Sequence, residues 1–176
     1  KTFGDLQAVE GVDLQVKSGE IFGLLGPDGA GKTTTIRMLV GIVDATDGGG
    51  TVLGHDMVTG REEIKQSIGY MSQRFSLYGD LTVAENLDFF SEIYDVPVSE
   101  RAERESQMLD FSRLRPFTGR LAQDLSGGMK QKLALACTLM HTPSLLFLDE
   151  PTTGVDPVSR RDFWKILYDL LKEEIT

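Results

Sequence analysis

The stretch that decides the fold is Gly26-Pro-Asp-Gly-Ala-Gly-Lys-Thr33, preceded by the apolar run Ile21-Phe-Gly-Leu-Leu25 and followed by Thr34-Thr-Ile-Arg-Met-Leu-Val40. It fits G-x-x-x-x-G-K-[ST] without a gap, and it lies between an expected strand and an expected helix, the context that pattern requires. The glycines let the backbone curl until several N–H groups point at one anion, and the helix adds the positive end of its dipole. Lys32 is placed to reach the terminal phosphates of a nucleotide, and the Thr33 hydroxyl to ligate Mg²⁺. The reading assigns Gly26, Asp28, Gly29, Ala30, Gly31, Lys32, Thr33 and Thr34 to a phosphate cradle. A plain glycine-rich turn is the alternative, and the strand-to-helix context argues against it.

Outward from this loop, Val12, Leu14 and Val16 alternate with polar residues and suggest a half-exposed strand. Ser18-Gly19 turns the chain into the short buried strand expected over residues 21–25. A helix is expected from Lys32 to Val40, then a loop over residues 44–50, and short strands at Thr51-Val-Leu53 and Ile68-Gly-Tyr-Met71. From Thr82 to His141 the pattern turns helical. Thr82 and Glu85 form a capping box, and Val83, Leu87, Phe90 and Tyr94 follow at helical spacing. The charge-rich residues 99–120 suggest a solvated helical face. A buried strand at Ser144-Leu-Leu-Phe-Leu-Asp-Glu150 precedes a last helix that starts at Asp156-Pro157. Its apolar stripe is Phe163, Ile166, Leu167, Leu170 and Leu171. The order predicts an α/β domain: a parallel-sheet core over residues 1–74 and 142–176, with a helical subdomain inserted over residues 75–141.

Asp149 and Glu150 end the second buried strand. In phosphoryl transfer an aspartate so placed holds Mg²⁺, and a neighbouring base orients the attacking water. Asp149 is therefore assigned to the metal and Glu150 to the water. A pair of carboxylates capping a surface strand is the plainer alternative, weakened by the nearby phosphate loop.

Composition narrows the field. With 18 basic and 27 acidic residues the net charge is −9, which argues against a nucleic-acid partner. The single cysteine, Cys137, lies in an apolar run and suits a buried structural thiol in a reducing compartment. No run approaches the roughly 18 apolar residues of a membrane span, and no signal peptide opens the chain. Any membrane crossing falls to another segment or chain.

Leu125-Ser-Gly-Gly-Met-Lys-Gln131 resembles the signature motif of ATP-binding-cassette (ABC) ATPases, and with the phosphate loop and Asp149-Glu150 it extends that resemblance over the whole chain. The resemblance implies a P-loop NTPase fold with an antiparallel β part at the N-terminus, and ATP and Mg²⁺ as ligands. It implies a head-to-tail homodimer or paired cassette in which Ser126, Gly127 and Gly128 close on the partner's ATP. Gln73 then matches the residue that senses Mg²⁺ and the nucleophilic water, which makes Glu150, Gln73 and Lys32 the catalytic set and Thr33, Gln73 and Asp149 the metal set. Asp156 matches the loop that reaches the opposite site, and Phe3 the ring that stacks on adenine.

The family's switch histidine would lie beyond Thr176, so residues 1–176 alone are expected to hydrolyse ATP poorly. The family's opening strand is also missing at the front, as in a trimmed domain. His55 and His141 stand elsewhere, as surface or helix-end residues without a catalytic part. Asp28 replaces the more usual Asn or Ser, and its carboxylate is expected to face away from the phosphates. The stretch from Gln73 to Ser126 leaves no room for the coiled coil of chromosome-organising ATPases. Leu81-Thr-Val-Ala-Glu-Asn-Leu87 and Thr153-Gly-Val-Asp156-Pro157 look most like the drug- and lipid-exporting transporter cassettes. That resemblance implies a transmembrane permease subunit or fused membrane domain, and a place on the cytoplasmic face of the membrane. A soluble, translation- or ribosome-associated ABC ATPase is the alternative, and a catalytically dead binding cassette a more distant one. The apolar segment Arg74-Phe-Ser-Leu-Tyr78 either tucks beneath the helical insertion or opens a cleft for the membrane partner.

Overall fold

The computed structural model describes residues 1–73, 77–170 and 176. Phe75 and Leu171, named above, lie outside the described residues, as does the side chain of Leu170. The chain opens with a hairpin of β1 (Thr2–Phe3) and β2 (Leu6–Gln7). After the glycine-rich loop comes α1 (Lys32–Leu39), then a second hairpin of β3 (Thr51–Val52) and β4 (His55–Asp56). These two hairpins are the antiparallel β part. Helix α2 (Arg61–Ser67) leads straight into β5 (Ile68–Met71). Helices α3 (Val83–Ile93), α4 (Val98–Ser112) and α5 (Gly127–Thr138) follow, with short 3₁₀ turns between the last two. Strand β6 (Leu145–Leu148) and helix α6 (Pro157–Leu170) complete the order.

Two of the expected strands are not there. Residues 12–16 and 21–25 join no sheet, and Val12, Leu14, Val16, Ile21, Phe22 and Leu25 are exposed, Leu25 to 93%. An alternating or apolar pattern permits a strand, but only a neighbour's N–H and C=O groups make one. Strand β5 occupies one edge of β6. On the β6 chain the Leu146 N–H instead donates to the Thr176 carbonyl at 2.8 Å, and the Thr176 N–H to the Ser144 carbonyl at 3.2 Å. The turn at Ser18-Gly19 does form, with Gly19 at φ 74°. The residues 144–150 strand forms over its middle four, which are half-buried where full burial was expected.

From Leu133 onward helix α5 is apolar on all sides and correspondingly enclosed, whereas its first turns carry Lys130, Gln131 and Lys132. Leu133, Ala136, Cys137 and Met140 pack with Val83, Leu87, Leu109, Leu114, Ala122 and Leu125 of the helical stretch. Its opposite face, Ala134, Leu135 and Leu139, packs with Met71 and with Phe163, Ile166 and Leu167 of α6. Three members of the expected α6 stripe are thus core. Cys137 is free and buried, and burial pushes its thiol far up from the usual range. A third cluster of Val40, Val52, Ile64 and Ile68 joins α1 to the second hairpin and α2.

Helix α3 starts at the expected capping box: the Thr82 side chain accepts from the Glu85 N–H while the Glu85 carboxylate accepts from the Thr82 N–H. The fully buried Asn86 was not singled out from sequence. Its amide donates to the carbonyls of Tyr78, Leu81 and Thr82 and accepts from the Tyr78 N–H. One side chain thereby satisfies the backbone of the segment entering α3, which no regular ladder serves.

His141 ends the α5 segment, as expected, but it also ties two parts of the chain together. Its Nε2–H donates to the Ile68 carbonyl at 2.9 Å, and its ring lies on Tyr94 with centroids 4.1 Å apart. Nδ1 is buried without a partner. Burial lowers the imidazole pKa below 6.5 and the nearby Arg104 charge acts the same way, against the hydrogen bond to Ile68. Protonation therefore favours the unfolded chain, whose histidine stays near 6.5: this contribution is whole above pH 6.5 and declines as pH falls below it. The thermal midpoint is expected to drop between pH 7 and 5, and less so in His141→Gln. Equal slopes in the two proteins would remove His141 as a source of acid lability.

Candidate functional site

Strands β5 and β6 pair in parallel with Met71 opposite Leu148, and the Asp149 N–H extends the ladder to the Met71 carbonyl at 2.9 Å. The residues just beyond both strands therefore emerge side by side. Gln73 Nε2 donates to Glu150 Oε2 at 2.9 Å, and the Thr153 hydroxyl donates to the same oxygen at 3.1 Å. Thr153 was not foreseen; it closes a turn three residues after Glu150, its N–H donating to the Glu150 carbonyl at 3.1 Å. Glu150 has φ 51°, a left-handed conformation that costs a non-glycine residue energy.

Asp149 is only 2% exposed. The Thr33 hydroxyl, at the start of α1, donates to its Oδ1 at 2.9 Å, while Oδ2 is buried without a partner. An unpaired carboxylate oxygen in such a place is costly unless something cationic meets it. Carboxylate and hydroxyl side by side are hard oxygen donors of the kind Mg²⁺ takes, usually alongside phosphate oxygens and water. Among the described residues no three His, Cys, Asp or Glu side chains gather as a self-sufficient metal site. The Thr33–Asp149 pair fits a divalent cation that phosphate oxygens complete.

The glycine-rich loop takes a left-handed backbone at two positions. Gly29 and Gly31 have φ 78° and 86°. A methyl group at Gly31 would fall 2.4 Å from the Ala8 carbonyl oxygen and 2.9 Å from Val9 Cγ2, so the segment that leaves the first hairpin lies directly over the loop. Lys32 Nζ donates to the carbonyls of Gly26 and Pro27 at 2.9 and 2.8 Å, folding its charge across the loop. Gly26, Asp28, Gly29 and Ala30 are exposed, and Thr34 is half-buried. Phe3 is exposed on the hairpin, with the Lys1 ammonium 4.7 Å from its ring centre.

Ser126 caps α5, its hydroxyl oxygen accepting from the Met129 N–H at 3.3 Å. Ser126 and Gly127 are exposed and Gly128 is buried. Asp156 caps α6, its Oδ1 accepting from Val158 and Ser159 N–H at 3.0 and 2.9 Å. The Ser159 hydroxyl is the largest cause of a lowered Asp156 pKa. A cavity of about 460 Å³ opens between these parts, lined by Gln73, Leu77, Gln123, Lys130, Gln131 and Gly154 among others.

The pattern of the ABC transporter family matches residues 9–153. The chain is 47% identical over all its 176 residues to the probable multidrug ABC transporter ATP-binding protein YbhF of Escherichia coli, of which it spans 30%. It is 40% identical over 171 residues, 97% of its length, to the Nod factor export ATP-binding protein I of Cupriavidus metallidurans, of which it spans 56%. Its fold matches cbiO1 from Clostridium perfringens, part of the ABC transporter complex cbiONQ, with a TM-score of 0.85 at 27% identity, over 95% of this chain and 68% of that one. This chain belongs to the ABC transporter family, as an ATP-binding domain. It spans about a third to a half of the curated relatives it matches.

Thr33→Val removes the hydroxyl that serves Asp149 and leaves both oxygens of a buried carboxylate unpaired. A loss of about 1–3 kcal/mol of stability is expected, measured by denaturant unfolding. An unchanged midpoint would show that water replaces the hydroxyl at no cost.

Proposed function

We propose that this chain hydrolyses Mg-ATP and thereby powers an exporter through a membrane partner. The observation that carries the reading is the meeting of Thr33–Asp149 and Gln73–Glu150 at one end of the parallel pair, beside the glycine-rich loop. The loop's N–H groups and Lys32 bind the phosphates, with Lys32 exchanging the carbonyls of Gly26 and Pro27 for phosphate oxygens. Thr33, Asp149 and Gln73 would hold Mg²⁺. Bound there, the cation withdraws charge from the phosphate oxygens. Glu150 has one oxygen committed to Gln73 and Thr153, which leaves Oε1 to take the proton of the attacking water. Phe3 offers its open ring face to adenine. Ser126 and Gly127, with the buried Gly128 behind them, open the helix toward the nucleotide of a second cassette head to tail, and Asp156 reaches the opposite site.

Two substitutions separate binding from chemistry in the full-length protein. Glu150→Gln is expected to lower turnover by about 10²–10⁴ while ATP still binds. Lys32→Ala removes a charge that meets the phosphates, so calorimetry should show weakened ATP affinity as well as lost turnover. Turnover unchanged in Glu150→Gln, or wild-type affinity in Lys32→Ala, would remove that residue from its role.

Among the described residues no helix is long and apolar enough to cross a membrane. As an exporter's ATP-binding domain, the chain would sit on the cytoplasmic face against a transmembrane permease, separate or fused. The division into a core of residues 1–74 and 142–176 and a helical subdomain of residues 75–141 draws support from the separate packing of α3 and α4 around one face of α5. Leu77 packs against that cluster, whereas Tyr78 is 44% exposed with its ring edge-on to Phe89 at 4.4 Å. Tyr78 is thus the better anchor for a short helix of the permease beside Gln73. Tyr78→Ala in the assembled transporter is expected to lower transport while ATP binding and fold persist. An unfolded variant, or one with full transport, would end the docking role.

A further inference from the structure

The two glycines that open α5 face different surroundings. A methyl group at Gly127 would meet only the Gly154 carbonyl oxygen, at an ordinary 3.8 Å. At Gly128 it would lie 2.4 Å from Ser159 Cβ and 2.5 Å from Ser159 Oγ, with Val155 Cγ1 at 3.6 Å. Carbon atoms do not approach to 2.4 Å, and Ser159 Cβ is fixed to the first turn of α6, so a helix would have to move. Gly128 is the buried one of the pair, and its own φ is not in the left-handed region. Its need for glycine is therefore one of space. Further along the same seam Lys132 Nζ lies 3.9 Å from Asp162 Oδ2, both side chains partly buried. Ser159 also bonds to Asp156 through its N–H and its hydroxyl. One serine thus touches the start of the signature helix on one side and the cap of α6 on the other.

We propose that Gly128 is a positioning residue. By lacking a Cβ it lets α5 seat on Ser159, and that seat sets the exposed Ser126-Gly127 end relative to Asp156 of the same chain. This rests on the ATPase reading, in which Ser126 and Asp156 both serve sites shared with a second cassette. Gly127 and Gly128 then divide the work: one faces outward, the other holds the helix in place. A shifted α5 misplaces Ser126 for the partner's nucleotide and leaves the chain's own phosphate loop intact.

The test uses the full-length protein, reading kcat and the KM for ATP separately. Gly128→Ala is expected to lower kcat at least about tenfold with KM within roughly threefold of wild type, the signature of an interaction needed for turnover rather than for ATP capture. Adding Ser159→Gly should restore kcat to near that of Ser159→Gly alone. Adding Ser159→Ala, which keeps the Cβ but loses the hydroxyl, should not. The thermal midpoint should follow the same pattern, falling by roughly 2–10 °C in Gly128→Ala and recovering only with Ser159→Gly. If Gly128→Ala does not fold, Ser159→Leu with Gly128 intact should show the same kcat loss, and full turnover there overturns the proposal. So does a folded Gly128→Ala, Ser159→Gly double variant with no recovery, which would place the need for glycine at the phosphate itself. Absence of Glu150-dependent turnover in the wild type would instead sink the ATPase reading. The Ser159 pattern in the thermal midpoint then decides the packing claim alone.

Discussion

The parallel pairing of β5 with β6 is the constraint on which the site depends. With Met71 opposite Leu148, the residues that follow each strand must leave the sheet at the same level. Gln73 and Glu150, 77 positions apart in the chain, meet at 2.9 Å for that reason. A slip of one residue would exchange the faces of every side chain on the strand, burying Glu150 and exposing Asp149. The chemistry needs the opposite arrangement: a carboxylate kept from water beside Thr33, and a second one turned out toward Gln73 and Thr153. The backbone at Glu150 is left-handed. Its strain is held by the strand behind it and the turn ahead.

Helix α5 plays the complementary part. Because its second half, from Leu133 on, is apolar all round, it can be covered on both sides at once, by the cluster of α3 and α4 and by the cluster of β5 and α6. It is the wall common to both. Its N-terminus, however, must stay at the surface, since a capped helix start with two glycines has orphan N–H groups to offer. Burial along the body and exposure at the tip are reconciled within three residues, from exposed Ser126 and Gly127 to buried Gly128.

The polar groups follow the same economy. Asn86 is fully buried yet satisfied in each direction by the backbone of residues 78–82. Asp149 is as buried but keeps one oxygen without a partner. The first arrangement stabilises a loop; the second is unfavourable unless a cation arrives. Lys32, lying on two carbonyls of its own loop, shows the matching need on the other side. The ammonium rests on carbonyls that phosphate oxygens could replace, and the carboxylate keeps one oxygen for a cation.

By itself the sequence determined the local chemistry: the glycine-rich loop before α1, the Thr82–Glu85 box, the apolar stripe of α6 and the family resemblance carried by residues 125–131. Each rests on neighbours within a few positions, where propensity, capping and dipoles act. The strands expected at residues 12–16 and 21–25 show the limit, since alternation and apolarity describe a side-chain pattern while a strand exists only through a partner's backbone. The same holds for Thr153, Asn86 and His141, whose roles come from Glu150, residues 78–82 and Ile68. Only the tertiary structure separated Gly127 from Gly128. The two letters are identical in the chain, and the difference lies in Ser159, some thirty residues later, brought against one of them by the packing of α5 on α6. Contacts of that kind are fixed by helix docking to a few tenths of an ångström, a scale that no periodicity along the chain records.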